Sequence, residues 1–543
     1  MNTINTITLE NNTSIIIEQF HKLSVKYNGE FTNLVSELQV LNPKLSIYLS
    51  SICSRDYKNS ELYNKFIYIK IFIELIENQK NIENVITDCK FFKKIIVNIS
   101  NKYEKKINVI YYKKKFSFKN INFLLFSFIL IKKIFIKFLL KAKKNKILNK
   151  DDKYIIIEHP IIIKNKIINH YFLNLNKYID GKKIIFVPNL IFLDFNSYLS
   201  INKLSNNFFY KENLISFFDI LISVLRSISL NYSKIIYPKN NDFNIEYLFK
   251  SDLYNINAYE KQIDGFINYY SIKKLNTKKI NLSLFICWWE NQAPSKGYIY
   301  SLAKFYPDCK TKGYLGYIPR LNDSKLFPSK FESSTNLVPK IICLISDNLI
   351  NDLKNIFKYS IIESSPAFRY DYINHLSFQS VKSNNILITL PIYIDQSNFI
   401  INCLLNLPNN FISNYNFNLS IHPATNQNNL LNLKQLIKKE KFKLIDDNFE
   451  KNIIKNSLLI TSTSDTSFQA LSLNIPVVFH TNKSQINDLS IPSHFTSDYY
   501  RYSSTKNELI DYIDFFMLKS FDNSQNLNFY KKVTIKNINQ FLS

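Results

Sequence analysis

Between residues 386 and 479 the chain repeats one pattern: a short run of β-branched and aromatic residues, then an amphipathic stretch. The runs at 386–390, 416–421, 442–445, 458–461 and 476–479 read as strands, and 398–407, 430–438, 449–455 and 466–473 as helices between them. A strand that is always followed by a helix returns parallel to its predecessor, so this pattern predicts a parallel sheet covered on both faces. The segment 381–505 contains no glycine. That excludes the glycine-rich phosphate loops of P-loop and dinucleotide-binding proteins, although the layered fold is of that kind.

The same alternation runs earlier in the chain. Strands are predicted at 85–87, 107–112, 154–158, 183–187, 233–237, 281–288, 312–318, 340–345 and 360–362. Helices fall at 91–100, 212–230, 252–270 and 349–357. The helix at 212–230 has Leu214, Phe217, Phe218, Leu221 and Leu225 on one side. The expected fold class is therefore α/β, with two doubly wound Rossmann-like domains facing a cleft. The first would span 81–380 and the second 381–505, with an N-terminal helical region at 1–80 and closing helices at 506–543.

A helical, basic insertion is expected at 116–150. Its uncharged run, Asn120 to Ile131, is twelve residues long. That is short of the ~20 residues a spanning helix needs. Lys132, Lys133, Lys137, Lys141, Lys143, Lys144 and Lys146 follow it. Lys133, Lys137, Lys141 and Lys144 share a helix face, with Ile134, Phe135, Phe138 and Leu139 off it. Two readings follow: a helix lying on an anionic membrane through 116–146, or one packed on the core with a solvated lysine face.

Charge narrows the partners. The 543 residues hold 69 Lys and Arg against 43 Asp and Glu, a formal charge of +26, but only five are Arg. Scattered lysine suits diffuse attraction to anionic surfaces, whereas base readout favours arginine. No basic-aromatic recognition motif is present, so a nucleic-acid partner is not expected. The six cysteines show no CxxC spacing. No metal site is expected, and scattered buried thiols fit a reducing compartment. No secretion signal is read at the N-terminus, which suggests a cytoplasmic location.

Rare residue types collect in two places. Trp288, Trp289, Glu290, Asn291, Gln292, Lys296 and Gly297 follow a predicted strand, and both tryptophans of the chain are among them. His422-Pro423 and Thr461-Ser462-Thr463-Ser464 follow strands of the second domain. In an open parallel sheet, ligands bind beyond the carboxyl ends of the strands. Hydroxyls and backbone N–H groups there can hold a phosphate, and a nearby His can donate to it. The same geometry serves an ordinary helix cap by Ser464 or Asp465. Glu290 is the candidate base and Glu363 its rival. Trp289 or Trp288 could stack on a sugar ring, and Arg320 and Arg369 could grip a carboxylate.

Two doubly wound domains, a His-Pro and a later Ser/Thr cluster resemble a bacterial glycosyltransferase of the GT-B type. The two motifs are similar to those of bacterial sialyltransferases, polysialyltransferases and Kdo transferases. The segment from Glu290 to Gly297 resembles a bacterial family of surface-carbohydrate biosynthesis. The resemblance implies that His422, Pro423, Ser462, Thr463 and Ser464 hold the phosphate of a CMP-activated acidic sugar, a nonulosonate or Kdo. Trp289, Asn291, Gln292, Lys296, Arg320 and Arg369 would contact substrate, with no cofactor beyond the nucleotide-sugar donor. The acceptor would be a glycan or lipid-linked glycan, and the enzyme would sit peripherally at the inner face of the cytoplasmic membrane. That group's acidic Asp/Glu-Asp/Glu-Gly triplet is missing here, so Glu290 stands in as base. A UDP- or GDP-sugar transferase, a sugar-nucleotide epimerase, a nucleic-acid-binding protein and a membrane scaffold are the alternatives.

Overall fold

The computed structural model describes all residues except 1–2, 8–11, 56–59, 113–120, 144, 146, 164–166, 169, 173–174, 176–182, 193–195, 205–206, 231–232, 254–255, 320–323, 377–382, 424, 426, 446–448, 463, 483–497 and 520–528. The chain divides into two units. One comprises Met1–Leu344, Leu353–Glu363 and Ile538–Ser543, the other Ile345–Asp352 and Ser364–Asn537.

The first unit opens with a small sheet that the sequence reading placed elsewhere. Strands β1 (Thr3–Asn5), β2 (Asn84–Thr87) and β3 (Asn108–Tyr111) pair in that order, all parallel. The predicted strand–helix–strand at 85–112 therefore joins the N-terminal helices, and no boundary falls at residue 80. A three-residue strand whose partner lies some 80 positions away leaves no local periodicity to detect.

The larger sheet of this unit has the order β10-β9-β8-β7-β4-β5, with β6 also paired to β4. Its strands are β4 (Lys153–Ile163), β5 (Ile167–Ile168), β6 (Ile184–Phe192), β7 (Asn281–Trp288), β8 (Lys310–Leu315), β9 (Ile341–Leu344) and β10 (Ile361–Ser364). β6, β4, β7, β8 and β9 run parallel, while β5 is antiparallel to β4. The chain moves outward from β4 in both directions, so the order reverses between β4 and β7. The predicted strand at 233–237 is absent; Ile236 instead bonds through its backbone to the Asn42 side chain.

The basic insertion is one helix, Ile121–Lys141. Of its lysine face, Lys133 and Lys137 turn inward, Lys141 stays exposed and Lys144 lies outside the described residues. Lys133 sits 2.6 Å from Asp264 and 3.3 Å from Glu260, and Lys137 donates to the Glu212 and Ile215 carbonyls at 2.6 Å each. Phe126, Ile129, Ile136 and Leu140 are buried with the rest of the unit. Among the described residues, no helix is long and apolar enough to cross a membrane.

The second unit is a six-stranded parallel sheet in the order β13-β12-β11-β14-β15-β16. Its strands are β11 (Asn385–Leu390), β12 (Asn416–Ile421), β13 (Phe442–Leu444), β14 (Leu458–Thr461), β15 (Val477–His480) and β16 (Tyr500–Ser503). Ile386, Ile388, Leu419, Ile460 and Val478 lie at 0% exposure under helices that include Ile394–Leu405 and Lys506–Leu518. The central strands β11, β14 and β15 are buried on both faces, which is why they read as unbroken apolar runs, while the edge strand β13 exposes Lys443 and Leu444. Besides Ile345–Asp352, the unit takes in the chain from Ser364, ahead of the expected 381, and the turn Phe368–His375 packs within it: Tyr370 stacks on Tyr530 at 4.4 Å. The closing segment splits. Lys506–Leu518 belongs to the second unit and Ile535–Phe541 lies mostly with the first.

Candidate functional site

In the second unit the strand order reverses between β11 and β14. In open parallel sheets such a reversal is where the loops diverge to opposite faces and leave a crevice beyond the carboxyl ends. Hydroxyls cross its floor. Thr389 donates to Thr461 at 2.9 Å, its oxygen lies 2.8 Å from that of Thr466, and Thr466 donates to Ser464 at 2.9 Å. Ser462 is fully buried and donates to Gln396 Oε1 at 3.2 Å, so its hydroxyl is committed to the floor. Ser464 and Thr466 are half-buried, Pro423 is exposed, and Thr463 lies outside the described residues. Asp465 precedes the helix Thr466–Ser472 without a side-chain capping bond.

His422 directly follows β12, half-buried, and its pKa is pushed down to about 4. Burial is the main cause, and the Arg369 guanidinium adds to it against the pull of Asp465. Arg369 lies over the Tyr370 ring at 5.3 Å, and Tyr370 Oη donates to Asp465 at 3.4 Å. Tyr372 bonds to Gln469 on the same helix. Thus His422, Arg369, Asp465, Ser464 and Thr466 converge. Sequence reading grouped His422 and Ser464 in one phosphate site and had Arg369 apart, as a grip for a sugar carboxylate. It missed Thr389, Thr466 and Tyr370, although Thr389 is the last but one residue of β11, at the carboxyl end of a predicted strand.

His480, at the end of β15, was also missed. It is buried, bonded through Nδ1 to Ser503 at 2.9 Å and stacked on Phe399 at 4.8 Å. Burial pushes it down to about 4 as well. An unfolded His titrates near 6.5. From about 6.5 down to about 4 the unfolded chain therefore binds protons that native His422 and His480 refuse, and stability falls as pH drops through that window. Melting curves across this range should show the fall, and His480→Asn should flatten it. A melting point indifferent to pH there would remove both assignments.

In the first unit the Trp288–Gly297 stretch separates into support and chemistry. Trp289 is fully buried, and a Cβ on Gly313 would press on it at 3.0 Å, so it is core and stacks on no sugar. Asn291 is buried, takes a left-handed φ of 51° and donates to the Lys325 carbonyl at 2.8 Å; it shapes the turn. Lys296 is fully buried, donates to the Cys53 carbonyl at 2.6 Å and pairs with Glu332 at 2.8 Å. None of these three reaches substrate. Gly297 lies where the helices Ile256–Thr277 and Ala293–Phe305 cross, and a Cβ there would collide with the Gly265 carbonyl. The rare residues therefore cluster here for packing reasons.

Glu290 is different. Its side chain is 32% exposed. Trp288 Nε1 donates to one oxygen at 3.1 Å and Gln292 to the other at 2.8 Å; Lys325 stands 3.7 Å away. Gln292 is itself held by Lys261 at 2.6 Å. Trp288, half-buried against Tyr171 at 4.8 Å, thus orients a carboxylate. Arg320 lies outside the described residues. Glu363 faces Lys312 at 3.4 Å, away from the Glu290 cluster.

A second carboxyl was missed. Glu158 sits in β4 level with the end of β7, at the reversal of strand order. It is 1% exposed and accepts from Asn189 at 3.1 Å; its other oxygen has no hydrogen-bond partner among the described residues. Burial pushes it up to about 7, against the pull of Lys211, and the nearby charge of Glu290 adds to the rise. The signal was visible: a lone Glu amid Ile155–Ile157 and Ile161–Ile163. Among the described residues no cluster of three or more His, Cys, Asp or Glu could hold a metal.

No family model and no curated protein matches the sequence. Among solved structures, the chain resembles the UDP-GlcNAc 2-epimerase of Neisseria meningitidis bound to UDP-GlcNAc. That match has 13% identity, covers 72% of this chain and 98% of that one, and has a TM-score of 0.40. It also resembles the lipopolysaccharide outer core galactosyltransferase WaaB, at 10% identity, 72% and 98% coverage and a TM-score of 0.38. MurG of Acinetobacter baumannii matches at 10% identity, 68% and 91% coverage and a TM-score of 0.34. These are likenesses of fold alone.

Proposed function

We propose that the chain is a glycosyltransferase that uses a nucleotide-activated sugar. The observation that carries this reading is the crevice of the second unit. There a cation (Arg369), a neutral imidazole (His422) and half-buried hydroxyls (Ser464, Thr466) converge at the reversal of strand order. Arg369 would supply the charge that a donor phosphate needs, and His422 and the hydroxyls would supply hydrogen bonds. In transfer, the bond from the sugar to the nucleotide phosphate breaks, the acceptor oxygen bonds to the sugar, and the acceptor proton passes to a carboxylate. Glu290 is the proposed base.

The motifs His422-Pro423 and 461–464 support a CMP-linked acidic sugar as donor. The alternative is a UDP- or GDP-sugar, in transfer or epimerisation; two structures of similar fold were solved with UDP-GlcNAc and with UDP. The acceptor would be a surface glycan or its lipid-linked precursor, which suits a place at the cytoplasmic membrane. Thermal stabilisation by UDP, GDP and CMP identifies the nucleotide. Arg369→Ala should weaken the binding nucleotide roughly 10–100-fold, the worth of a charge-assisted hydrogen bond. If no nucleotide or nucleotide sugar shifts the melting point, the enzyme reading is lost.

A further inference from the structure

Two neighbouring helices of the first unit carry large apolar side chains on their outward sides. Phe126 and Ile129 of Ile121–Lys141 share a core cluster with Ile220 and Val224 of Phe217–Ser229. Lys137, further along the first helix, reaches the Ile215 carbonyl just before the second. The helices therefore lie antiparallel and face the core together. On the opposite side of the first helix, Phe128, Ile131 and Phe138 are 63%, 64% and 69% exposed, and Phe135 shares that side. On the second helix, Phe218 is 70% exposed, with Ile222 and Leu225 at following turns.

The second helix makes the choice plain. Sequence periodicity predicts Leu214, Phe217, Phe218, Leu221 and Leu225 as its buried side. The structure instead buries Asp219, Ile220, Ser223, Val224 and Ser227, with Ser223 and Ser227 bonded back to carbonyls of their own helix. A chain that buries serines and leaves Phe and Leu in water has an apolar patch that folding does not consume.

The charges around this patch point to its occupant. The first helix has no acidic residue, and Lys141 ends it exposed, one turn beyond Phe138. Arg226 is exposed beside Leu225. Lys203 is exposed on the 3-10 helix whose Tyr198 packs on Phe135 at 6.3 Å. Nearby acids are already engaged: Glu260 and Asp264 by Lys132 and Lys133, and Asp219 by its capping box with Ser216. The patch is thus apolar with a cationic rim, on a chain of charge +26. A second copy would bring the same cations against it.

We propose that this two-helix face docks on an anionic lipid surface. Its Phe, Ile and Leu side chains enter the boundary between headgroups and acyl chains, and Lys141, Lys203 and Arg226 meet the lipid phosphates. The proposal stands whether or not the glycosyltransferase reading does. The test is flotation of the full chain with vesicles of phosphatidylcholine alone or with roughly a third phosphatidylglycerol. The chain should float with the mixed vesicles and much less with the neutral ones. F138Q/F218Q should weaken binding roughly a hundredfold, since each buried Phe is worth about a factor of ten. K141Q/R226Q should remove the preference for anionic lipid, and circular dichroism should show both variants folded. Failure of the wild type to float, or flotation of F138Q/F218Q at the wild-type level, overturns the proposal. So does a wild-type dimer that F138Q/F218Q converts to monomer without vesicle binding, which assigns the face to a second copy.

Discussion

Glu332→Ala should lower the melting temperature by on the order of 10 °C, the largest stability effect expected of any single change outside the hydrophobic core. Glu332 is 1% exposed and lies between two buried cations, Arg55 at 2.7 Å and Lys296 at 2.8 Å. Its helix, Lys330–Ser334, opens with a capping box between Glu332 and Ser329, so the carboxylate is held by its own turn as well as by the cations. The two cations and the Ser329 backbone hold it down to about 2 despite its burial. Its contribution to stability is therefore complete above the unfolded value of 4.5 and is lost as pH falls through about 2. Without the carboxylate, two buried cations lose their counter-charge, a cost of ~3–5 kcal/mol. Lys296→Met leaves the Arg55–Glu332 pair intact and should cost distinctly less. Equal melting points for wild type and Glu332→Ala would show the triad to be incidental.

Glu290→Gln should reduce sugar transfer by roughly 10²–10⁴-fold while nucleotide-induced stabilisation stays as in the wild type. The amide keeps the size of the carboxylate but cannot take the acceptor proton. It also turns an N–H toward either the Trp288 indole or Gln292, both of which donate to Glu290 in the native chain. Trp288→Phe removes one of these donors and should lower the rate through orientation, leaving nucleotide affinity unchanged. Glu158→Gln is the decisive comparison, since Glu158 is the other carboxyl beside Glu290. Full activity in Glu290→Gln with none in Glu158→Gln would transfer the base to Glu158.

The residues that were legible as candidates share one property: their position follows from a strand end. His422, Ser464 and Glu290 each come directly after an apolar run, and a parallel sheet presents such ends on one edge. Lys296, Asn291 and Trp289 looked equally suitable because rarity of residue type was the signal. Rarity does not distinguish a group that meets a ligand from one that meets its own fold. Lys296 proved to serve Glu332, Asn291 a left-handed turn and Trp289 the core.

The sequence by itself determined the two α/β units and five of the six strands of the second to within a residue or so, since central strands buried on both faces write their apolar runs into the chain; the half-exposed edge strand β16 was not read. It also determined that glycine-rich phosphate loops are absent there. Tertiary structure alone decided the membership of β1–β3, the convergence of Arg369 on His422, and the inward turn of Lys133 and Lys137. It also decided that Phe218 and Leu225 face outward. Each of these depends on a partner distant in sequence. Local periodicity reports that a helix has an apolar side, and only the packed neighbours settle which side is covered.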